Sequence, residues 1–128
     1  MRDTRIAWAA GLFDGEGCIG FWNSGKAITL RVVSTDRGTV DAIAATFGHG
    51  TVRARGPRAG RIPSFVWFSG AQTNVAEALR LMLPHSVTKA AEIQIALRYL
   101  DNLMPAAEAR GALRSYKTKG QRRYRAVV

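Results

Sequence analysis

The spacing of apolar residues changes period several times along this chain, and each change marks an element. Small and apolar side chains crowd together from Ile6 to Phe13, which predicts a helix over 4–14. Two strand-like runs follow, 16–22 and 27–34, joined by Asn23-Ser24-Gly25-Lys26, a hairpin-turn composition. Thr35 or Asp36 is placed to cap a helix whose Val40, Ile43, Ala44 and Phe47 fall at i, i+3, i+4, i+7. Gly48-His49-Gly50 stops it. A third strand over 51–55 leads through a Gly/Pro/Arg loop to a fourth over 64–69. A second amphipathic helix carries Val75, Ala78, Leu79 and Met82 and ends at Pro84. A long helix over 87–103 puts Ile93, Ala96, Leu97 and Leu100 on one face, and Pro105 closes it. The rest reads as a short helix followed by a flexible arm. The order α-β-β-α-β-β-α-α predicts an α+β fold, an antiparallel sheet with helices on one side. It divides into one domain, 1–105, and a basic extension, 106–128.

Period-two alternation sorts the strands into faces. Ile19 and Phe21 oppose Gly20 and Trp22; Ile28, Leu30 and Val32 oppose Thr29, Arg31 and Val33; Val52 and Ala54 oppose Thr51, Arg53 and Arg55. The first set suits packing on the helices. The second leaves Trp22, Thr29, Arg31, Thr51, Arg53 and Arg55 on an open face. A twisted antiparallel ribbon with such a face can lie in a DNA major groove. Phe65, Trp67 and Ser69 of the fourth strand are left without an assigned face.

Charge strengthens this picture. The net charge of +10 on 128 residues points to a polyanionic partner, most simply nucleic acid. No acid lies between Asp41 and Glu77, while Arg53, Arg55, Arg58 and Arg61 cluster there. A second acid-free basic run follows Glu108. Arginine dominates over lysine, which suits forked contacts to phosphates and guanine edges. The single cysteine, Cys18, excludes an internal disulfide framework and fits a reducing, cytoplasmic setting. No apolar run is long enough to span a membrane, so no membrane partner is expected. His49 and His85 are isolated, and no His/Cys spacing suggests zinc.

The densest chemistry lies where the first helix ends, at Asp14-Gly15-Glu16-Gly17. Acids at a helix C-terminus are unfavourable against the macrodipole unless a cation sits opposite, and a divalent metal ion would serve. Ala9-Ala10-Gly11-Leu12-Phe13-Asp14-Gly15-Glu16-Gly17 resembles the motif that names the LAGLIDADG homing endonucleases. The resemblance, with the element order, extends over roughly residues 6–103. It implies that Glu16, with the Gly15 carbonyl, holds Mg²⁺ or another divalent cation such as Mn²⁺ near a scissile phosphate, and that Asp14 is structural. It implies that the open sheet face is the DNA saddle, with Trp22, Thr29, Arg31, Thr51, Arg53, Arg55, Arg58 and Arg61 on double-stranded DNA.

The segment opened by Lys89 resembles the family's late helix, which makes Lys89 a candidate for polarising the water or phosphate. Ser34 and Arg37 match positions near the scissile region. One motif per chain implies a symmetric homodimer in which Ala7, Ala10 and Gly11 let two motif helices approach. The expected activity is site-specific cleavage of a pseudopalindromic duplex, leaving 3′ overhangs. An RNA-binding intron maturase, with intron RNA as partner, and a non-cutting DNA-binding regulator are alternatives on the same fold.

Overall fold

The computed structural model describes residues 2–22, 25–56 and 62–127, with side chains described to residue 117. Helix α1 (Arg2–Glu16) runs into strand β1 (Gly17–Trp22), which turns into β2 (Ala27–Ser34). Helix α2 (Arg37–Phe47), strands β3 (Thr51–Arg55) and β4 (Ser64–Ser69) and helix α3 (Gln72–Met82) follow. A single 3₁₀ turn, Leu83–His85, leads to α4 (Ala90–Leu100) and α5 (Ala106–Val127).

The strands form one antiparallel sheet in the order β1-β2-β4-β3. Ile28, Leu30 and Val32 pack without exposure against the helices, as predicted, together with Ile19. The register resolves the fourth strand. Leu30 pairs with Ser69 and Val32 with Trp67, which turns Phe65, Trp67 and Ser69 inward and Ser64, Val66 and Phe68 outward. The core is a layer between this inner face and α1, α2, α3 and α4, filled by Phe13, Val40, Ile43, Trp67, Leu79, Met82 and Ile93.

Helix α2 begins where the Asp36 side chain accepts from Gly38 N at 3.2 Å, an N-cap, and ends at a left-handed Gly48. Helix α1 extends beyond the 4–14 expected, so Gly15 and Glu16 form its last turn rather than following it. The junction to β1 is tight. A Cβ on Gly17 would meet the Phe13 ring at 2.2 Å, so only glycine lets the chain pass here.

Helix α4 is shorter than the 87–103 predicted. At its start the Asp14 carboxylate draws the approach into a turn: Val87 N donates to Oδ2 at 2.8 Å and Lys89 N to Oδ1 at 3.0 Å. At its end Asn102 adopts φ 61°, with Asn102 N bonded to Tyr99 O and Leu103 N to Arg98 O. This left-handed cap satisfies the last carbonyls before Pro105 is reached. The C-terminal stretch, expected as a short helix and an arm, is one helix whose Ala109 and Leu113 are buried against the rest.

One half-buried histidine closes the β3 end of the core. His49 Nδ1 lies 3.0 Å from Ser69 Oγ, and its ring packs beside Phe47 and Trp67. Its Nε2 is buried with no partner among the described residues. Burial lowers its pKa, only partly offset by Glu77. The unfolded chain therefore takes up this proton first as pH falls through the ordinary value of about 6.5. Stability should be full above that pH and decline below it until the folded-state pKa is passed. Denaturant titrations from pH 7.5 to 5 should show that slope, and His49→Gln should flatten it. Asp14→Asn should cost about 1–3 kcal/mol, since one of two charge-assisted acceptors is lost. Urea denaturation would measure the loss, and faster amide exchange at Val87 or Lys89 would locate it.

Candidate functional site

Glu16 is the last residue of α1, exposed to solvent, and no basic residue occupies that helix's last turn. Among the described residues no hydrogen bond or ion pair engages its carboxylate. The last carbonyls of a helix lack intrahelical partners, so the Gly15 carbonyl belongs to the same electronegative end. Asp14 is different: both its carboxylate oxygens are committed to backbone N–H groups ahead of α4.

Those same bonds bring Lys89 to the site. Lys89 is the N-cap residue of α4, and its Nζ donates to the Asp14 carbonyl at 2.8 Å while lying 5.9 Å from the centre of the Phe13 ring. One orphan carbonyl of α1 is thereby satisfied, and a cation is held beside the helix end that carries Glu16. Glu92, one turn further along α4, has its pKa raised by burial, against the opposing pull of Lys89 and Lys117.

Ser34 and Arg37 lie at the junction of β2 and α2. Ser34 Oγ accepts from Asp36 N at 3.1 Å. Arg37 stands 3.6 Å from Asp41 and over the Phe65 ring at 5.8 Å. Among the described residues neither meets Glu16 or Lys89. Ser34 nevertheless ends β2 two residues past Val32, the partner of Gly17, at the edge from which α1 enters the sheet.

Donor chemistry at the α1 end suits a hard cation. It offers carboxylate and carbonyl oxygens, the ligands Mg²⁺ prefers, and Mg²⁺ uses few protein carboxylates. Among the described residues no group of three or more His, Cys, Asp or Glu side chains is assembled.

The outer sheet face begins at this point and leads away from it. Cross-strand register aligns Cys18, Arg31, Phe68 and Thr51 in one row, and Val33, Val66 and Arg53 in the next. Arg55 stands opposite Ser64. Arg31, Thr51, Arg53 and Arg55 are exposed, and Thr29 is half-buried with its hydroxyl toward Gly20 O at 3.4 Å. Trp22 is 66% exposed and meets Phe68 edge-on. No described residue pointing to this face is acidic. Arg58 and Arg61 lie outside the described residues.

Along the β1 edge the structure adds cations that strand alternation could not reveal. A groove of about 190 Å³ between β1 and α5 is lined by Gly20, Phe21, Arg110, Arg114 and Lys117. Lys117 Nζ lies 3.7 Å from Cys18 Sγ. The i, i+4, i+7 spacing of these three cations is visible in the sequence, and their direction depends on how α5 packs.

On α1 the face turned from the core carries Trp8, 43% exposed, Gly11 and Gly15. A Cβ on either glycine would meet nothing within 4 Å. Ala7 is half-buried. Ala10, expected on that face, is instead fully buried in the chain's own core, because the helix turns it toward the sheet with Ile6, Ala9 and Phe13. No helix among the described residues is long and apolar enough to cross a membrane.

No family model matches the chain, and comparison with curated proteins finds no match. Solved structures do match. The homing endonuclease I-CvuI, in complex with its target in the presence of Ca, superposes with a TM-score of 0.76 at 21% identity, covering 90% of this chain and 83% of that one. The archaeal intron-encoded homing endonuclease I-Vdi141I, complexed with DNA, gives 0.56 at 10% identity over 92% and 99%. The LAGLIDADG meganuclease I-CpaMI, bound to uncleaved DNA, gives 0.61 at 12% identity over 75% of this chain but 35% of its own length. The α+β architecture, with its four-stranded antiparallel sheet, is the fold of the LAGLIDADG homing endonucleases.

Proposed function

We propose that this chain is a site-specific, divalent-metal-dependent endonuclease of the LAGLIDADG type, cutting double-stranded DNA as a homodimer on a pseudopalindromic target. One observation carries the reading: an exposed, unengaged Glu16 ends α1 beside Lys89, where an acid-free, arginine-bearing sheet face begins. The saddle brings a duplex to the sheet through Arg31, Arg53 and Arg55, with Trp22, Thr29 and Thr51 between them. Glu16 and the Gly15 carbonyl would hold Mg²⁺ or Mn²⁺, which supplies charge neutralisation on the phosphate and a more acidic water. Lys89 keeps two N–H donors beyond its bond to Asp14 and orients water or phosphate oxygens. Asp14 keeps Lys89 in place. The products are expected to carry 3′ overhangs.

Homodimer formation is supported by α1 itself. Glycine inside an exposed helix costs about 1 kcal/mol relative to alanine, and no described residue of the chain requires Gly11 to be small. A second copy of α1 crossing at this point would require it. This chain spans 83% of I-CvuI and 35% of I-CpaMI.

Cleavage in Mg²⁺ is the central measurement. Glu16→Gln keeps the shape and removes the charge, so cleavage should slow on the order of a hundred- to a thousand-fold. Gel-shift binding should persist. Equal cleavage rates for mutant and wild type would remove Glu16 from the centre. Binding should also weaken steeply with salt, since each neutralised phosphate releases a counterion. Arg31→Ala should alter sequence preference in a selection experiment, whereas a loss equal for all sequences would make Arg31 a phosphate contact. Gly11→Leu should yield a monomer by light scattering with its melting temperature retained. A mutant that stays dimeric would place the two-fold axis elsewhere.

A further inference from the structure

The end of the saddle farthest from Glu16 is a ribbon with little sheet beneath it. Strand β4 ends at Ser69, paired with Leu30, so Ala27, Ile28 and Thr29 extend beyond it with only β1 as partner. This ribbon carries Trp22. Two strands alone are marginally stable in water, and behind the ribbon root lies an open hollow of about 640 Å³, lined in part by Lys26, Gln72 and Tyr99.

Polar side chains from three helices hold the ribbon by its backbone. Gln72, the first residue of α3, takes both groups of Ile28: Ile28 N donates to Oε1 at 2.8 Å and Nε2 donates to Ile28 O at 2.7 Å. The amide occupies the place of a further β4 residue, and Nε2 also reaches Gly70 O at 2.9 Å. Tyr99 of α4 donates its hydroxyl to Lys26 O, and Arg110 of α5 donates to Gly25 O at 3.1 Å. Both also flank Phe21, Tyr99 edge-on at 5.2 Å and Arg110 over the ring at 6.0 Å. The fit is close: Gly25 has φ 77°, and a Cβ there would lie 2.0 Å from the Arg110 guanidinium.

We propose that Gln72, Tyr99 and Arg110 are positioning residues for sequence discrimination. They touch no DNA themselves; they fix the angle at which the β1–β2 ribbon presents Trp22 and Thr29 to base edges. The proposal rests on the endonuclease reading. Trp22 lies five residues along β1 from Gly17, about 17 Å at the rise of a strand. The effect is therefore confined to base pairs distal to the cut, while chemistry at Glu16 and Lys89 is untouched.

The test is selection of cleaved duplexes from a randomised library by wild type, Tyr99→Phe, Arg110→Ala, Arg110→Lys and Trp22→Ala. Gln72→Leu is included where its melting curve shows it folded. Tyr99→Phe and Arg110→Ala should lose about tenfold discrimination at the distal positions, the same positions where Trp22→Ala loses it. Positions next to the cut should keep their preference, and single-turnover cleavage of the wild-type duplex should be unchanged. Arg110→Lys, which keeps a donor for Gly25 O, should retain most of the discrimination. Folded variants with the wild-type profile throughout would overturn the proposal and leave the endonuclease reading standing. Variants that loosen every position alike would also overturn it, because a general structural role predicts that result. A wild type that selects no duplex would overturn both.

Discussion

Much of this site hangs on the carboxylate of Asp14. It accepts from the backbone of Val87 and Lys89, residues far along the chain, and so joins the end of α1 to the start of α4. Charge-assisted bonds of this kind are stronger than neutral ones, and they replace the intrahelical bonds that the approach to α4 lacks. Two consequences follow at once. The last turn of α1 is held rigid where Gly17 must thread past Phe13 to begin β1. Lys89 is also delivered to the α1 end, where its ammonium returns the contact by binding the Asp14 carbonyl. Neighbouring acids are thereby divided in role: one is consumed in building the corner, and the other stands free in solvent at its tip.

The sheet extends this corner into a surface. Because β4 lies between β2 and β3, the arginines of β3 stand two strands from Arg31 rather than beside it. At the usual strand spacing that separates them by about 10 Å, so the positive charge is spread across the face rather than focused at one point. Val33, Val66 and Phe68 fill the gaps as half-buried apolar positions. The face therefore combines positive charge with flat apolar area, the mixture a DNA groove presents. Helix α5 closes the β1 side with Lys117 near Cys18, giving the surface cations near both edges.

Much of the architecture was legible because it depends on period. Alternation placed Thr29, Arg31, Arg53 and Arg55 outward, and the i, i+3, i+4, i+7 stripe of α2 predicted its buried Val40, Ile43 and Phe47. Capping chemistry narrowed the start of α2 to Thr35 or Asp36, and Asp36 is the cap. What escaped was decided by pairing between distant segments. The fourth strand gave no clear face until its register with β2 was known. The α4 boundaries moved because Asp14 and Asn102 act on backbone groups, which leaves no trace in hydropathy. Ala10 looked like its neighbours in composition, yet helix rotation buries it while Gly11 stays outside. Gln72, Tyr99 and Arg110 were invisible for the same reason: a side chain that binds a carbonyl in another element carries no local pattern.

The partition of roles at the end of α1 bears on how such a protein can change over time. A substitution at Asp14 strikes the corner on which the fold turns, so the whole molecule suffers. A substitution at Glu16 removes an exposed carboxylate that no described group needs, and the folded chain is left intact. If Glu16 acts as proposed, catalysis and architecture can therefore decay at different rates. On the proposed reading, a lineage on this scaffold can lose the capacity to cut and keep its fold, so an intact fold in a descendant says little about its chemistry until the residue at position 16 has been read.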